Sequence, residues 1–374
     1  MICRPSGAIV NFRLYLSSRV WCQSAGDVHR QLDRALRVKG TLDMQDFLPA
    51  EISVIIVNYG TAALCVKAVE SVKAYHHGGR QVDIHVVDNA SPGDDASVLS
   101  RAHAVSGWGN SVTLYLEDEN HGFGRGNNLV LEKLALRPEP PHKVFLLNPD
   151  AQLDNDALEI LATFIDAHPD VGCAGAAIMN PGGQHATAAF RFPSTASEFS
   201  DSLAFGPVAR FFARHMVALP ADLPTQPVHW VSGAAVMFRW EALKQSQGFD
   251  PDFFLYFEEV DLMRRLSSLG WETWYVPDAK VHHIEGAATN VKSSVATRSA
   301  RPDYWYDSWL IYHLKSHGRW GASLCAIARL GGWTGNLIVS SLRRRPTLAP
   351  KHYINAFTRR VLRPLAGLSA RDSS

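Results

Sequence analysis

The chain is 374 residues long, 46% hydrophobic and 20% charged, enough to bury one large core or one core plus a smaller unit. Lys and Arg total 37 against 36 Asp and Glu, a net charge of +1, which excludes the basic footprint of a nucleic-acid binder. The five cysteines (Cys3, Cys22, Cys65, Cys173, Cys325) form no C-x-x-C pair, so neither a disulfide scaffold nor a cysteine-based zinc site is expected, and a reducing compartment fits.

Residues 1–50 differ in composition from the rest of the chain and show no strong period. A short helix over Val28–Val38 is compatible with the sequence, and Met44 is a candidate true start. No signal peptide is evident, because Arg4, Arg13 and Arg19 break the apolar stretches, so the cytoplasm is the expected location. From Glu51 strands and helices alternate. Ile52–Val57 is an apolar, β-branched run that predicts a buried strand, and Ala62–Tyr75 has helical spacing. Asp83–Val87 predicts a second strand, ending in turn chemistry at Asp88-Asn-Ala-Ser-Pro-Gly93. A third strand at Val112–Leu116 precedes a Gly-rich loop, Asn120–Asn128, and a helix through Leu136; Lys143–Leu147 is the fourth strand. Next come a helix at Ala157–Ala167 and an excursion over 181–228, rich in Pro, Phe and Arg with little periodicity, read as lying over the site. A strand over Trp230–Phe238, a helix from about Glu258 and a strand over Thr273–Val276 complete the pattern, which argues for an α/β fold with a mostly parallel sheet.

In such a sheet ligands bind beyond the carboxyl ends of the strands. Three strands end in polar clusters, Asn58-Tyr59, Asp88-Asn89 and Asn148-Pro149-Asp150, so all three are expected along one edge. Any one of them alone reads as ordinary turn chemistry; together they favour a nucleotide site. The loop holding Gly122, Phe123, Gly124, Arg125, Gly126 and Asn127 is neither a Walker loop nor a dinucleotide fingerprint. Its expected use is close backbone approach to a ligand, with Arg125 or the asparagines bonding it. The run Gly248–Arg265 sets aromatics before Glu258, Glu259 and Asp261 at a helix start, where simple capping is the plainer reading. Asp261 and Arg265, four apart, are expected to pair, leaving Glu258 or Glu259 to face a cleft whose apolar wall raises a carboxylate's pKa. His282 and His283 lie on an extended segment and point to opposite faces, so at most one serves the site.

The ordered motifs VIIVNYG, VVDNAS, NHGFGRGNN, FLLNPD, VSGAAVMFRWEAL, GFDPDFFLYFEEVDLMRRL and VHHIEGAAT resemble glycosyltransferase family 2 over roughly residues 52–320, and within it the rhamnosyltransferase-like members acting on lipid-linked glycans. The resemblance implies the GT-A fold: a Rossmann-like nucleotide half fused to an acceptor half around a mixed, mostly parallel sheet, with C-terminal helices. It implies that Asp88 bonds the donor's base with Asn58 and Asn89 nearby. Asp150, in the place of the family's Asp-x-Asp, would bind Mg²⁺ or Mn²⁺; Asn148 departs from the full acidic motif. Glu259 is implied as the catalytic base, although Glu stands where the family usually has Asp, with Glu258 and Asp261 beside it. His283, with Gly286 at the usual offset, is the first choice for a metal or phosphate contact, and His282 the second. Trp230, Ser232 and Gly233 resemble the strand beneath acceptor and donor sugar. The implied activity is inverting transfer of a sugar, with dTDP-rhamnose the favoured donor, to a glycan or polyprenyl-linked acceptor at the inner face of the cytoplasmic membrane.

The expected organisation is an N-terminal extension (1–50), a catalytic domain (51–300) and a C-terminal segment (301–374). That last segment carries Tyr304, Trp305, Tyr306, Trp309, Tyr312, Trp320 and Trp333 ahead of Arg343, Arg344, Arg345 and Lys351. It reads equally as a helix in an anionic membrane interface and as a helical hairpin packed on the catalytic domain. A nucleotidyltransferase is disfavoured because Val57–Thr61 lacks a basic Gly-rich loop. The remaining alternative is a degenerate GT-A protein that binds glycans or scaffolds.

Overall fold

A computed structural model describes residues 50–284, 300–344, 347 and 350–368. The expected helix at Val28–Val38, the start at Met44, and Gly286 lie outside the described residues. Strands β1 (Ile52–Asn58), β2 (Val82–Asn89), β3 (Val112–Glu117) and β4 (Lys143–Leu147) alternate with helices α1 (Ala62–Lys73), α2 (Asp95–Val105) and α3 (Gly122–Ala135). Strands β5 (Ala151–Leu153), β6 (Val171–Met179), β7 (His185–Ala186), β8 (Ala189–Phe190), β9 (Gln226–Val228), β10 (Trp230–Val231), β11 (Ala235–Arg239) and β12 (Glu272–His283) come after them in the chain. Among them lie helices α4 (Ala157–Ala167), α5 (Thr195–Leu203), α6 (Gly206–Phe211), α7 (Trp240–Ser246) and α8 (Glu258–Ser268), and beyond them α9 (Asp303–Leu342).

The main sheet runs β3-β2-β1-β4-β11-β6-β12-β5, with β7 paired to β6 and β9 to β12. Strands β3, β2, β1 and β4 are mutually parallel. Every residue of β1 and β4 is buried, which is why both read as largely apolar runs, apart from Ser53 and Asn58 in β1 and Lys143 in β4, rather than alternating ones. β11 inserts antiparallel between β4 and β6, and β12 lies parallel to β6. Strand order turns at β1, from which β2 leads one way and β4 the other, and the carboxyl ends there form the ligand crevice expected of an open α/β sheet.

Four elements differ from the sequence reading. The strand expected over Trp230–Phe238 is two: β10 pairs with β8 in a separate two-stranded sheet, and β11 joins the main sheet. The Gly-rich segment is the first turns of α3, not a loop before it. A Cβ on Gly126 would stand 2.9 Å from Val57 Cγ1, and one on Gly122 would stand 1.9 Å from the Phe254 carbonyl oxygen. These glycines therefore let the helix press against β1 and the 254 backbone, and the close approach is to protein. The strand at Thr273–Val276 extends to His283 across a register shift between Val276 and Lys280. The aperiodic excursion contains α5, whose Ser194–Ser197 capping box fixes its start.

Helix α9 is broken at Gly318, where φ is 64° and ψ 178°, values that only glycine adopts readily. The chain folds back there, so Trp309 and His313 from one limb and Arg329 from the other all bond Glu198 of α5. Small residues on the second limb seat it on α5: the Gly332 position would place a Cβ 2.0 Å from Ser202 Oγ. An aromatic cluster of Tyr306, Trp309, Trp333, Tyr353 and Phe357 fills the bend. Among the described residues no helix is long and apolar enough to cross a membrane.

Candidate active site

The carboxyl ends of β1, β2 and β4 open onto a cavity of about 580 Å³. It is lined by Tyr59, Asn89, Gly122, Phe123, Asn148, Asp150, Ser232 and His283 of the residues singled out by sequence. It is also lined by Val57, Asn120, Pro149, Ile178, Thr187, Phe254, Leu255 and Tyr304. All three polar strand ends thus reach the same edge. Asn120, Pro149, Phe254 and Leu255 are legible in sequence as neighbours of the motif residues. Ile178 and Thr187 carry no local signal, and Tyr304 arrives from the start of α9.

Asn58 and Asp88 stand at the ends of adjacent parallel strands, in register with each other. Asn58 Nδ2 donates to Asp88 Oδ1 at 2.9 Å, and Ser91 Oγ donates to the same oxygen at 2.5 Å. Both side chains are fully buried and neither lines the cavity; their neighbours Tyr59 and Asn89 do. Asn89 ties the sheet to the Gly-rich turn, donating to Asn120 Oδ1 at 3.0 Å and to the Gly122 carbonyl at 3.1 Å.

At the far side, β12 pairs His283 with Ala151 of β5 and so brings the imidazole to the end of β4. His283 Nε2 lies 3.0 Å from Asp150 Oδ1 and 3.4 Å from Asn148 Nδ2. His282, the alternative, lies on the other side of the strand pleat and does not line the cavity.

The acidic run at the start of α8 rests on unusual backbone. Tyr256 and Phe257 both have positive φ, 71° and 67°, a conformation costing each non-glycine residue about 1 kcal/mol or more. That turn drives Glu258 inward, where it is 3% exposed. Burial, then the charge of Glu259, raises the Glu258 pKa well above the ordinary carboxylate range. Burial also raises Glu259, and one oxygen of each carboxylate has no hydrogen-bond partner. The two carboxylates are close enough to titrate as a coupled pair. Neither Glu258 nor Glu259 lines the cavity, but Glu259 lies near it: a Cβ at Gly233 would stand 3.8 Å from Glu259 Cβ and 3.7 Å from Phe123, which does line it. Asp261 takes the partner expected of it, Arg265 Nε at 2.8 Å, and does not line the cavity. Burial raises its pKa against the opposing effect of Arg265.

Three other residues singled out by sequence are spent on the fold. Arg125 Nε donates to the His121 carbonyl at 2.9 Å and Asn127 Nδ2 to the Phe123 carbonyl at 2.9 Å, so neither reaches the cavity. Trp230 stacks on Phe190, with centroids 4.0 Å apart, and donates to the Arg191 carbonyl. The neighbouring Asn128 clamps the peptide at Phe249 from both sides, donating at 2.7 Å and accepting at 2.9 Å.

A family model described as glycosyltransferase like family 2 matches residues 49–321, well over half of the chain. The chain belongs to this family. This family 2 chain is 28% identical over 221 residues to an N-acetylglucosaminyl-diphospho-decaprenol L-rhamnosyltransferase of Mycobacterium tuberculosis, spanning 56% of this chain and 69% of the relative. It is 25% identical over 166 residues to the rhamnosyltransferase WbbL of Escherichia coli K12, spanning 44% of this chain and 61% of that one. Its fold superposes on the crystal structure of GalNAc-T7 with UDP, GalNAc and Mn²⁺ with a TM-score of 0.52, at 11% identity, over 85% of this chain and 57% of that one. The architecture is the GT-A fold of the glycosyltransferases, a mixed sheet with flanking helices.

Proposed function

We propose that this family 2 protein is an inverting glycosyltransferase that moves L-rhamnose from dTDP-rhamnose to a polyprenyl-diphosphate-linked glycan, in the synthesis of a cell-surface polysaccharide. The observation that carries this reading is the meeting of Asn89, Asn148, Asp150 and His283 in one cavity, with Glu259 beside its wall. The names of the relatives in Mycobacterium tuberculosis and Escherichia coli support the choice of sugar.

In this reading Tyr59 and Asn89 meet the donor's base and ribose, and the Asn58–Asp88 pair, braced by Ser91, holds that edge rigid. Asp150, His283 and Asn148 offer a carboxylate, an imidazole nitrogen and an amide, a donor set that fits Mg²⁺ or Mn²⁺ shared with a diphosphate. A cation held by these residues would supply positive charge to offset that on the departing nucleotide diphosphate. Glu259 takes the proton of the acceptor hydroxyl; the freed oxygen attacks the anomeric carbon as the bond to the diphosphate breaks on the opposite face. The raised pKa of Glu259 brings a carboxylate towards the strength a general base needs. Ser232 and Phe123 line the wall that would lie under the sugar.

The division into a catalytic unit (51–300) and a C-terminal segment (301–374) that meets the inner face of the cytoplasmic membrane belongs to the same proposal. Its support is a stripe along the second limb of α9, Trp320, Leu324, Ile327, Ile338 and Leu342, all exposed and recurring at helical spacing. Exposed Arg319, Arg343 and Arg344 flank the stripe at its two ends, as suits an anionic interface.

Incubation with dTDP-rhamnose and an N-acetylglucosaminyl-diphospho-polyprenol tests the reading directly. The expected outcome is transfer of rhamnose with anomeric configuration opposite to the donor's. Retention of configuration, or no transfer from any nucleotide sugar, overturns it. Flotation with vesicles containing anionic lipid is expected to carry the protein, and a Trp320→Glu, Ile327→Glu variant is expected to stay behind.

A further inference from the structure

Outside the cavity, the bend of α9 gathers a second set of ligand-bearing side chains. His313 and His317 lie four residues apart on the first limb, and Cys325 lies on the second. One nitrogen of each ring and the Cys325 Sγ all fall within 4.8 Å of one another. None of the three lines the donor cavity.

Their hydrogen bonding points to a ligand. His313 is fully buried, and its Nε2 is 3.2 Å from Glu198 Oε1, while Nδ1 has no partner. The Nε2 of His317 is likewise buried and unpartnered. Leaving a buried polar nitrogen unsatisfied costs about 1–3 kcal/mol, and two such nitrogens stand beside one buried thiol. A carboxylate bonded to one imidazole nitrogen with the other left free is the arrangement that orients metal-binding histidines. Glu198 supplies that carboxylate, and Arg329 and Trp309 hold it in place. Thr195 Oγ1, 3.4 Å from the Cys325 Sγ, adds an oxygen beside the thiol.

We propose that His313 Nδ1, His317 Nε2 and Cys325 Sγ bind one structural zinc-type ion, separate from the donor-site cation. Two imidazoles and a thiolate select Zn²⁺ or Co²⁺ over Mg²⁺ and Mn²⁺. Tetrahedral Zn²⁺ with bonds of about 2.0–2.3 Å would hold its ligand atoms roughly 3.3–3.8 Å apart, a spacing that groups within 4.8 Å of one another reach by small side-chain movements. On binding, the Cys325 thiol gives its proton to solvent and the sulfur takes the metal bond. The ion cross-links the two limbs of α9 next to the Gly318 break. It thereby stiffens the wall that Tyr312 presses against Phe253 and Val260.

The test uses the full-length purified chain, stripped with chelator and titrated with Co²⁺ alone. One equivalent is expected to produce a thiolate-to-cobalt charge-transfer band that Zn²⁺ abolishes. The band is expected to persist in Asp150→Ala, which separates this site from the donor site, and to vanish in Cys325→Ser and His317→Ala. Zn²⁺ is expected to raise the Tm of wild type and not of His317→Ala, a readout that stands even if Cys325→Ser does not fold. No band in wild type, a band that survives Cys325→Ser, or a Zn²⁺ effect on Tm that survives His317→Ala overturns the proposal.

Discussion

Glu198 and Glu258 are both almost wholly excluded from water, at 5% and 3% exposure, yet their surroundings drive them in opposite directions. Burial pushes Glu198 up, but the Arg329 charge and bonds from His313 and Trp309 outweigh it and hold the carboxyl below its ordinary range. Among the described residues Glu258 forms no ion pair; burial and the charge of Glu259 raise it, and one of its oxygens is unpartnered. A buried carboxylate that the fold needs is paired, whereas one that the fold tolerates at a cost marks a place where chemistry is done. The two glutamates thus separate the helical layer that holds the molecule together from the edge to which the proposed chemistry is assigned.

The sharpest way to test that separation is Glu259→Gln, expected to lower kcat about 10²–10⁴-fold while leaving Tm unchanged or higher. A fall in Tm matching the loss of rate would merge the two regions and remove the base from the mechanism. Glu198→Ala should do the reverse. Removing one partner from a buried ion pair costs about 3–5 kcal/mol, measured by urea unfolding, and leaves kcat per folded molecule close to wild type. The pH dependence carries the sign. Held low, Glu198 contributes stability that is complete above the ordinary carboxylate range and is lost as pH falls through its lowered pKa. Gly126→Ala tests the packing beneath the edge: the new Cβ, 2.9 Å from Val57 Cγ1, is expected to cost about 1–3 kcal/mol.

The smallest effect is expected from Glu258→Gln. Because its folded pKa is raised, Glu258 costs nothing while protonated and loses stability as pH climbs past the ordinary range, so the amide should modestly raise Tm near neutrality. The acid limb of the rate profile, set by ionisation of Glu259, should lie above the ordinary value of 4.5. It should barely move in Glu258→Gln, because burial is what raises Glu259. A limb displaced by more than about one unit would show the two carboxylates sharing charge differently.

The edge is largely legible in the sequence because local chemistry writes it. β1 and β4 are buried runs ended by Asn58 and Asn148, and His283 is placed by the strand pleat. The helical layer is not. Glu198 sits in an aperiodic stretch, and its partners His313 and Arg329 lie 115 and 131 residues away, a separation that no local pattern records. The glycines of α3 mislead for a related reason. Glycine ordinarily signals a loop, and only the tertiary approach of Phe254, Phe249 and Val57 explains Gly122, Gly124 and Gly126 in a helix. Arg125 and Asn127 look like ligand contacts in the sequence because their carbonyl partners, on the preceding turn of the same segment, are not visible until that segment is helical.

The central claim, a nucleotide-sugar donor held beside Asp150, is tested most directly by calorimetry with dTDP, UDP and GDP, with and without Mn²⁺, on wild type and Asp150→Ala. The predicted result is that dTDP binds with a metal dependence that Asp150→Ala removes. A chain that binds no nucleotide diphosphate under any of these conditions, or binds one identically without Asp150, would contradict it.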